Sequence, residues 1–287
     1  MRIRTAATTI TTLLVLAACA DAPSNGAGNG DGIAHSAAPN HVLVRVSMEG
    51  GFVPVDWTYT NLPTFSLYGD GTIVAPGAQI AIHPGPALPA ISSRSVDEAG
   101  IQAVVREALD ATADLPTDLD DMGMVTIADA PTTVISISVD EVDRTVRVYA
   151  LGEMTDRPDG MPEDVFRARQ DLQALVTKLT GLAEWLPAGS LGAEAAYESS
   201  RARLILPDER GADDLPHEEI AWPLTEPLAT FGEPAGVAGY RCGVVAGDDW
   251  ITVRAEASRA DQLTPWVDDG STYTILFRPL LPDETGC

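Results

Sequence analysis

The sequence predicts an α+β fold with mostly antiparallel sheet, about three helices and possibly two related units. Short apolar runs of the kind found in strands occur in neighbouring pairs, which is typical of β-hairpins. Longer segments with apolar residues at helical spacing lie between these pairs, without strict strand–helix alternation. Hairpins interrupted by helices favour an antiparallel sheet with helices packed on one face.

The first part of the chain contains the clearest strand patterns. His41–Met48 alternates Val42, Val44 and Val46 against a mixed opposite face, which predicts a strand. The proline-rich stretch His83–Pro89 is predicted to be an extended loop, because proline lacks the N–H that a central strand needs. Two hairpins are predicted, Thr64–Tyr68 with Thr72–Ala75 across Gly69-Asp70-Gly71, and Thr133–Val139 with Thr145–Ala150.

Three helices are predicted from start signals and periodicity. Ser95-Val96-Asp97-Glu98 reads as a capping box before a helix with buried-face residues at helical spacing. A second helix is predicted from Pro162, favoured in a first helical turn, to about Leu186. A third is predicted to begin at Asp248.

The second part of the chain is predicted to add three strands, Arg201–Leu206, Tyr240–Val245 and Thr272–Phe277. The turn-rich segment Thr155–Gly160 separates it from the first part. We therefore expect a first α+β unit over 41–154 and a second over 155–287, which together could form one compact domain.

The first eighteen residues have the layout of a secretory signal peptide. Arg2 and Arg4 precede the uncharged run Ala6–Leu16, and small residues lead to Cys19. Leu16-Ala17-Ala18-Cys19 resembles the lipobox of bacterial lipoproteins, in which the cysteine is acylated and becomes the mature amino terminus. The alternative is ordinary signal cleavage with Cys19 present by chance. We expect lipidation at Cys19, and an anchor at the extracytoplasmic face of the cell membrane.

Residues 19–40 are predicted to be the lipidated cysteine followed by a flexible tether. The segment Ala20–Asn40 consists largely of glycine, alanine, asparagine, serine and proline. Such a composition offers little apolar surface to offset the entropy lost on ordering. We therefore expect a coil that holds the folded body away from the lipid headgroups.

The chain is strongly acidic, with 42 acidic and 18 basic residues and a formal net charge of −24. This charge repels nucleic-acid phosphates and anionic lipid, so neither is expected as a direct partner. Cations, basic proteins and neutral sugars remain open, although scattered acids also serve solubility alone. The membrane, through the lipid, and an envelope protein or cell-wall ligand are the expected partners.

Two cysteines remain once Cys19 carries lipid. In an oxidising compartment Cys242 and Cys287 would most simply form a disulfide with each other. Two free thiols are the alternative. A catalytic cysteine–histidine pair is disfavoured, because no histidine lies near either thiol in the sequence.

Several short segments stand out in the body of the chain: Ser66–Thr72 (SLYGDGT), Pro84–Pro89 (PGPALP), Leu263–Trp266 (LTPW) and Phe277–Glu284 (FRPLLPDE), with Cys287 at the end. Together they resemble a group of uncharacterised actinobacterial secreted proteins and lipoproteins. The likeness covers most of the chain beyond the tether and is most specific in the carboxy-terminal block. It implies an envelope location and a cysteine pair like Cys242 with Cys287, and it implies no activity.

Catalytic and metal-binding motifs are weak. The histidines lack zinc spacing, and no glycine-rich phosphate loop lies between a strand and a helix, so no cofactor is predicted. Asp118, Asp120 and Asp121 form a weak calcium candidate that lacks the glycine and terminal glutamate of an EF-hand loop. Ser190 follows a helix rather than a strand, so its surroundings indicate a loop rather than a nucleophile elbow.

The tryptophans are candidates for a ligand groove. Trp185 and Trp250 fit helical faces and are predicted to be in the core. Trp222 and Trp266 lie next to prolines in expected loops and are the better surface candidates, although partial burial would explain them equally well.

These observations favour a membrane-anchored, non-enzymatic binding or scaffolding module of the cell envelope. The alternatives are a cell-wall hydrolase with an unrecognised carboxylate pair, and a calcium-dependent binding module that uses the loop around Asp118. No catalytic residue is assigned.

The anchor is directly testable. Replacing Cys19 with alanine is expected to release the protein from the membrane fraction, because the acyl chains provide its membrane affinity. Fractionation of cells that express the wild-type and Cys19→Ala forms measures this. Retention of the variant in the membrane fraction would show that lipid at Cys19 is not the main tether.

Overall fold

A computed structural model of the protein describes residues 32–208 and 217–287, so the predicted signal peptide and Cys19 lie outside the described residues. Within them, residues Ile33–Cys287 form one compact unit. Four α-helices and fourteen strands are present there, in sheets of seven, four and three strands. The predicted α+β class with mostly antiparallel sheet is confirmed.

The seven-stranded sheet is built mainly from the first part of the chain and has antiparallel neighbours throughout. Its strand order is β6-β5-β1-β2-β3-β4-β7. Both predicted hairpins are present, as β2–β3 and β5–β6. The strands are β1 Val42–Glu49, β2 Phe65–Tyr68, β3 Thr72–Pro76, β4 Ile91–Ser95, β5 Thr132–Val139, β6 Val142–Tyr149 and β7 Ala195–Ala196.

The helices are α1 Val55–Thr60, α2 Glu98–Ala111, α3 Glu163–Thr180 and α4 Gly247–Ala257, with a 3₁₀ turn at Leu182–Glu184. The short helix α1 was not predicted. The predicted capping box was wrong in detail, since Ser95 ends β4 and the side chain of Asp97 accepts the hydrogen bond from the backbone N–H of Gly100. The helix predicted to reach Leu186 ends earlier, because Gly181 follows Thr180 and the backbone tightens into the 3₁₀ turn.

The first hydrophobic core lies between the large sheet and the helices α2 and α3. Val104 and Val105 of α2 are fully buried there, as the helical spacing predicts. Leu172 and Leu175 of α3 belong to the same core. The expected division at Thr155–Gly160 therefore does not separate two cores, because α3 follows that segment and packs against the first sheet.

The second core is formed by the remaining strands and α4. One sheet has the order β10-β11-β8-β14, and a small sheet has the order β13-β12-β9, in which β9 and β12 are parallel. The last predicted strand, Thr272–Phe277, is split into two. The strands are β8 Arg201–Pro207, β9 Ile220–Ala221, β10 Glu233–Pro234, β11 Tyr240–Ala246, β12 Trp266–Asp268, β13 Ser271–Tyr273 and β14 Leu276–Pro279.

The prediction that Trp222 and Trp266 lie on the surface was wrong. Their exposed fractions are 7% and 1%, and the centroids of their rings are 6.1 Å apart. Trp266 also contacts Phe277 of β14, so these rings form the centre of the second core. Trp250 is buried as predicted, and Trp185 packs partly buried against the first core.

The predicted tether is shorter than expected, because its last residues bind to the folded body. The backbone N–H and C=O of Ile33 both bond to the side-chain amide of Gln102 on α2, at 2.7 and 2.8 Å. Ser36 passes so close to Gly69 that a Cβ there would lie 2.2 Å from the Ser36 carbonyl oxygen. Ile33–Asn40 therefore belongs to the folded body, and the rest of the predicted tether before Gly32 lies outside the described residues.

Cys242 and Cys287 form a disulfide, which is the predicted pairing. Cys242 lies in β11 and is buried, whereas Cys287 is the last residue of the chain. The bond therefore fastens the carboxy terminus to the middle of the second sheet.

Loss of this disulfide is expected to destabilise the protein without changing its fold. The sequence separation of 45 residues corresponds to about 4 kcal/mol of free energy of unfolding in the chain-entropy account. Urea denaturation of the Cys242→Ser/Cys287→Ser double variant measures the difference. An unchanged transition midpoint would mean that other contacts already hold the terminus in place.

Candidate ligand-binding cleft

The aspartates of the weak calcium candidate are used to organise backbone. Asp118 and Asp121 each accept a hydrogen bond from a backbone N–H two residues ahead, and Asp120 accepts one from the N–H of Tyr149. In the described parts of the chain, no group of three or more histidine, cysteine or acidic residues is arranged to hold a metal ion. These carboxylates turn the loop and attach it to β6.

Ser190 is a structural residue. It is 4% exposed, and its hydroxyl donates a 2.6 Å hydrogen bond to the carbonyl oxygen of Pro187. Its own carbonyl accepts from the N–H of Asp97, the residue that caps α2. Ser190 thus connects the loop after the 3₁₀ turn to the start of α2, as expected of a loop residue.

A mostly buried cluster of charged and polar side chains surrounds Asp283, in the carboxy-terminal segment. The guanidinium of Arg45 donates to both of its carboxylate oxygens at 2.8 Å, and the hydroxyl of Tyr68 donates to one of them at 2.7 Å. Arg45 lies on β1 and Tyr68 on β2, so Asp283 fastens the end of the chain to the middle of the large sheet. The side chains of the ion pair are only 19% and 23% exposed.

Glu284, the next residue, makes a second ion pair. Its carboxylate accepts two hydrogen bonds from Arg278 and one from the backbone N–H of Leu281. The Arg278 side chain is 2% exposed, and its Nε donates to the carbonyl oxygen of Asn61 at 3.0 Å. Because Asn61 is the carboxy-terminal cap of α1, this pair connects β14 to α1.

The electrostatics of the cluster follow from these contacts. Burial acts to raise the pKa of the Asp283 carboxyl, but the hydrogen bonds from Arg45 and Tyr68 outweigh it, so the pKa lies below its ordinary value. Burial raises the pKa of the Tyr68 hydroxyl, which remains a donor. Each of the two adjacent carboxylates is neutralised by its own arginine, which is the arrangement of a structural anchor rather than of an acid–base pair.

Two cavities lie on the helical side of the large sheet, and their basic residues Arg169 and Lys178 have partners within the protein. A cavity of about 600 Å³ beside α3 includes Arg169, whose guanidinium donates to three backbone carbonyls. A groove of similar volume between α2 and α3 includes Lys178, which is paired with Glu107, and several scattered acids. The acids of this groove are explained by solvation of the surface.

The largest of the described cavities is a cleft of about 760 Å³ between α1 and the loop 77–90. Part of its lining is formed by residues 274–277, at the start of β14 and just before it. Pro207 at the end of β8 and Tyr240 at the start of β11 also contribute. A cleft of this volume, with mostly apolar walls and a few polar groups, is typical of small-ligand and peptide sites. Its lining includes Trp57, Tyr240, His83, four prolines (Pro54, Pro86, Pro89 and Pro207) and the polar side chains of Asp56, Gln79 and Gln262.

The α1 wall of the cleft is held by tyrosines. The hydroxyl of Tyr240 donates to Asp56 of α1 at 2.9 Å, and burial together with this bond raises the pKa of Tyr240. The ring of Tyr59 lies 5.5 Å from that of Tyr240, and the Tyr59 hydroxyl accepts from the backbone N–H of Val237. These contacts fix α1 against β11, although α1 buries none of its residues fully.

The opposite wall is held by glutamine side chains. The Oε1 atom of Gln79 accepts from the backbone N–H of Ala90, which closes the loop at its base. Gln262 bonds to Gly85 twice, through its backbone N–H at 2.8 Å and its Oε1 atom at 3.4 Å. The proline-rich stretch is thus attached to the segment after α4, and hydrogen bonds within the protein hold both walls.

Three side chains of the lining carry N–H groups that have no hydrogen-bond acceptor in the described parts of the chain. These groups belong to the indole of Trp57 and the side-chain amides of Gln79 and Gln262. Gln79 and Gln262 are exposed, so their NH₂ groups are open to solvent. The lining also includes His83 and the hydroxyls of Thr60 and Thr274, so the polar groups of the cleft can both donate and accept.

The sequence predicts one wall of this cleft, the extended loop His83–Pro89, without indicating a role for it. Trp57 could not be placed from the sequence, since α1 is too short to show a periodic pattern. No protein-family model, curated protein or solved structure matches the chain. The chemistry of the cleft itself must therefore indicate what it binds.

The contribution of the Asp283 contacts to the free energy of unfolding can be measured. The Asp283→Asn substitution leaves Arg45 without its anionic partner and is expected to lower the free energy of unfolding by about 2–3 kcal/mol at neutral pH. Since the folded-state pKa is depressed, the wild type should lose this contribution as the pH falls below about 4, while the variant has none to lose. Urea denaturation across this pH range measures both effects.

The matched control is Glu49→Gln, because the pair of Glu49 with Arg147 is about half exposed. An exposed pair is expected to contribute about 0.5 kcal/mol or less. Equal destabilisation by the two substitutions would contradict an anchoring role for Asp283.

Proposed function

We propose that this protein is a non-enzymatic binding protein of the cell envelope, anchored by lipid at Cys19 and presenting a preformed cleft to an extracytoplasmic partner. The observation that carries the proposal is the cleft between α1 and the loop 77–90, with both walls held by hydrogen bonds and with aromatic, proline and polar side chains in its lining. A site that is already formed avoids the entropy cost of ordering its walls on binding.

The proposed anchor fits the way the body begins. The amino-terminal sequence favours export and lipidation at Cys19, and Ile33 is bonded to Gln102 of α2 in the folded body. A lipid on Cys19, which precedes Ile33 by 14 positions, would keep the cleft close to the membrane surface. None of the helices in the described part of the chain combines the length and apolar character that a membrane span requires.

The composition of the cleft favours binding over hydrolysis. Among the described residues that line it, Asp56 is the one carboxylate, and one of its oxygens is bonded to Tyr240. Glycoside hydrolysis needs two carboxyl groups facing each other across the bond to be cleaved. No serine or cysteine nucleophile is among those described lining residues either. The remaining groups can orient a ligand by hydrogen bonds and aromatic contact.

The proposal predicts site-specific capture in living cells. A photoreactive phenylalanine analogue at Ile80, beside Gln79 on the cleft loop, is expected to crosslink the same envelope component in repeated experiments. Mass spectrometry of the adduct shows whether that component is a protein or a glycan. Adding Trp57→Ala should abolish the adduct, because the indole is part of the binding wall.

The control position is Ile251 on α4, which is 59% exposed compared with 64% for Ile80 and does not line the cleft. Equal capture from both positions, or capture that survives loss of Trp57, would show that the cleft is not the binding site.

A further inference from the structure

The sheets of the protein have one long edge. In the described parts of the chain, the other edge strands, β7, β9, β10, β13 and β14, are only two to four residues long. Short edge strands limit pairing with other chains. β6 differs from them, because it is eight residues long, contains no proline or glycine, and pairs with β5 without a register shift. Such an edge offers a regular row of backbone groups to which another strand can pair.

The outward backbone groups of β6 come from every second residue. The N–H of Tyr149 points away from β5, since it bonds to the side chain of Asp120. Because the direction alternates along an antiparallel strand, the N–H and C=O groups of Asp143, Thr145 and Arg147 point outward as well. These outward groups have no hydrogen-bond partner in the described parts of the chain, and all three residues are exposed.

The order of side chains on this edge is complementary to a second copy of itself. If two β6 strands pair antiparallel about a two-fold axis at Thr145, Asp143 of each copy lies opposite Arg147 of the other. All three outward residues then form hydrogen-bonded pairs, and opposite charges facing each other across the strands stabilise the pairing. An axis at Asp143 or at Arg147 would instead place like charges opposite each other, so the charges select the register.

The charges near the edge allow two acidic copies to approach. β6 contains two arginines and one aspartate, so its net charge is +1, in a chain whose net charge is −24. At physiological ionic strength, repulsion between exposed charges is largely screened beyond about 8 Å. Arg147 bonds to Glu49 through one of its terminal nitrogens, which leaves other N–H groups of its guanidinium for an aspartate of the second copy.

The position of Ile33 agrees with two copies on one membrane. A two-fold axis perpendicular to the sheet keeps α2 and α3 of both copies on the same side of the joined sheets. Ile33 is bonded to Gln102 of α2, so both chains enter their folded bodies from that side. Lipids on Cys19 of the two copies, as proposed above, would therefore reach the same membrane surface.

We infer that the protein forms a two-fold symmetric dimer by antiparallel pairing of β6 with β6 of a second copy, centred on Thr145. The same edge is used by both copies, so the interface is isologous and assembly stops at two. No residue of β6 is among the described residues that line the cleft, so each copy keeps its cleft. The dimer does not depend on what the cleft binds.

The test is sedimentation equilibrium of residues 33–287, which form the compact unit, at physiological salt. We expect a reversible, concentration-dependent equilibrium between monomer and dimer. Thr145→Pro removes the N–H at the centre of the interface and should leave the protein monomeric. Since this N–H does not bond to β5, proline is compatible with the edge, and a retained thermal transition shows that the variant folds.

Charge exchange tests the register. Asp143→Arg places like charges opposite each other at two points of the interface, so dimerisation is expected to weaken about tenfold or more. Adding Arg147→Asp to this variant restores opposite charges and should restore the dimer. The matched control is Glu226→Arg, which makes the same change of charge at an exposed position outside the large sheet and should not weaken the dimer.

A crosslink tests the two-fold axis. Thr145→Cys brings two thiols face to face, and a short bismaleimide should convert the variant into a covalent dimer. Thr252→Cys, at an exposed position on α4, should stay monomeric under the same treatment. The native cysteines of this body, Cys242 and Cys287, are joined to each other and do not react.

Four results would overturn the inference. A wild type that stays monomeric up to millimolar concentration has no such interface. Oligomers larger than two would contradict closure by a two-fold axis. A dimer that Thr145→Pro and Asp143→Arg leave unchanged must use another surface, and equal crosslinking from positions 145 and 252 would show that contact is not specific to β6.

Discussion

The contact of Asp283 with Arg45 and Tyr68 joins the seven-stranded sheet to the carboxy-terminal segment, which is also attached to the four-stranded sheet. It places a carboxylate from the last residues of the chain against the middle strands of the large sheet. Leu281 packs beside it in a small apolar cluster with Tyr68, Val74 and Ile91. The neighbouring Glu284 holds Arg278, and the disulfide fixes Cys287 to β11. The carboxy-terminal segment therefore touches both sheets and connects them.

The cleft depends on this arrangement because α1, which forms one of its walls, is held by contacts at its two ends and not by burial of its own side chains. The helix is six residues long and has no fully buried residue. Its carboxy-terminal cap, Asn61, accepts from Arg278 through its carbonyl and donates to Met48 of β1 through its side chain. At the other end, Asp56 accepts from Tyr240 of β11. Contacts to three strands therefore hold one wall of the cleft.

The sequence predicted features that depend on local pattern. The hairpin strands, the apolar stripe of α2 and the loop at His83–Pro89 follow from alternation, helical spacing and proline chemistry. The pairing of Cys242 with Cys287 was predicted because the expected compartment is oxidising and the third cysteine, Cys19, was assigned to the lipid. Strand β4 was missed because Ile91 is the one apolar residue in its Ile-Ser-Ser-Arg-Ser sequence, and its pairing with β3 is a tertiary effect.

The remaining features depend on distant partners. Trp222 and Trp266 lie next to prolines, which indicated surface loops, yet pairing between β9 and β12 carries both into the second core. Nothing near Asp283 in the sequence indicates Arg45 as its partner, because 238 positions separate them. The cleft combines residues from α1, from the loop 77–90 and from the carboxy-terminal part of the chain, so no short motif could reveal it.

The central claim is that the carboxy-terminal anchor organises α1 and thereby the cleft. Hydrogen–deuterium exchange of the body, compared between the wild type and Glu284→Gln, tests this most directly. If the claim holds, weakening the partner of Arg278 will speed exchange in residues 55–61 while β1 and β5 in the first core keep their protection. Unchanged exchange in α1, or equal acceleration throughout the protein, would contradict it.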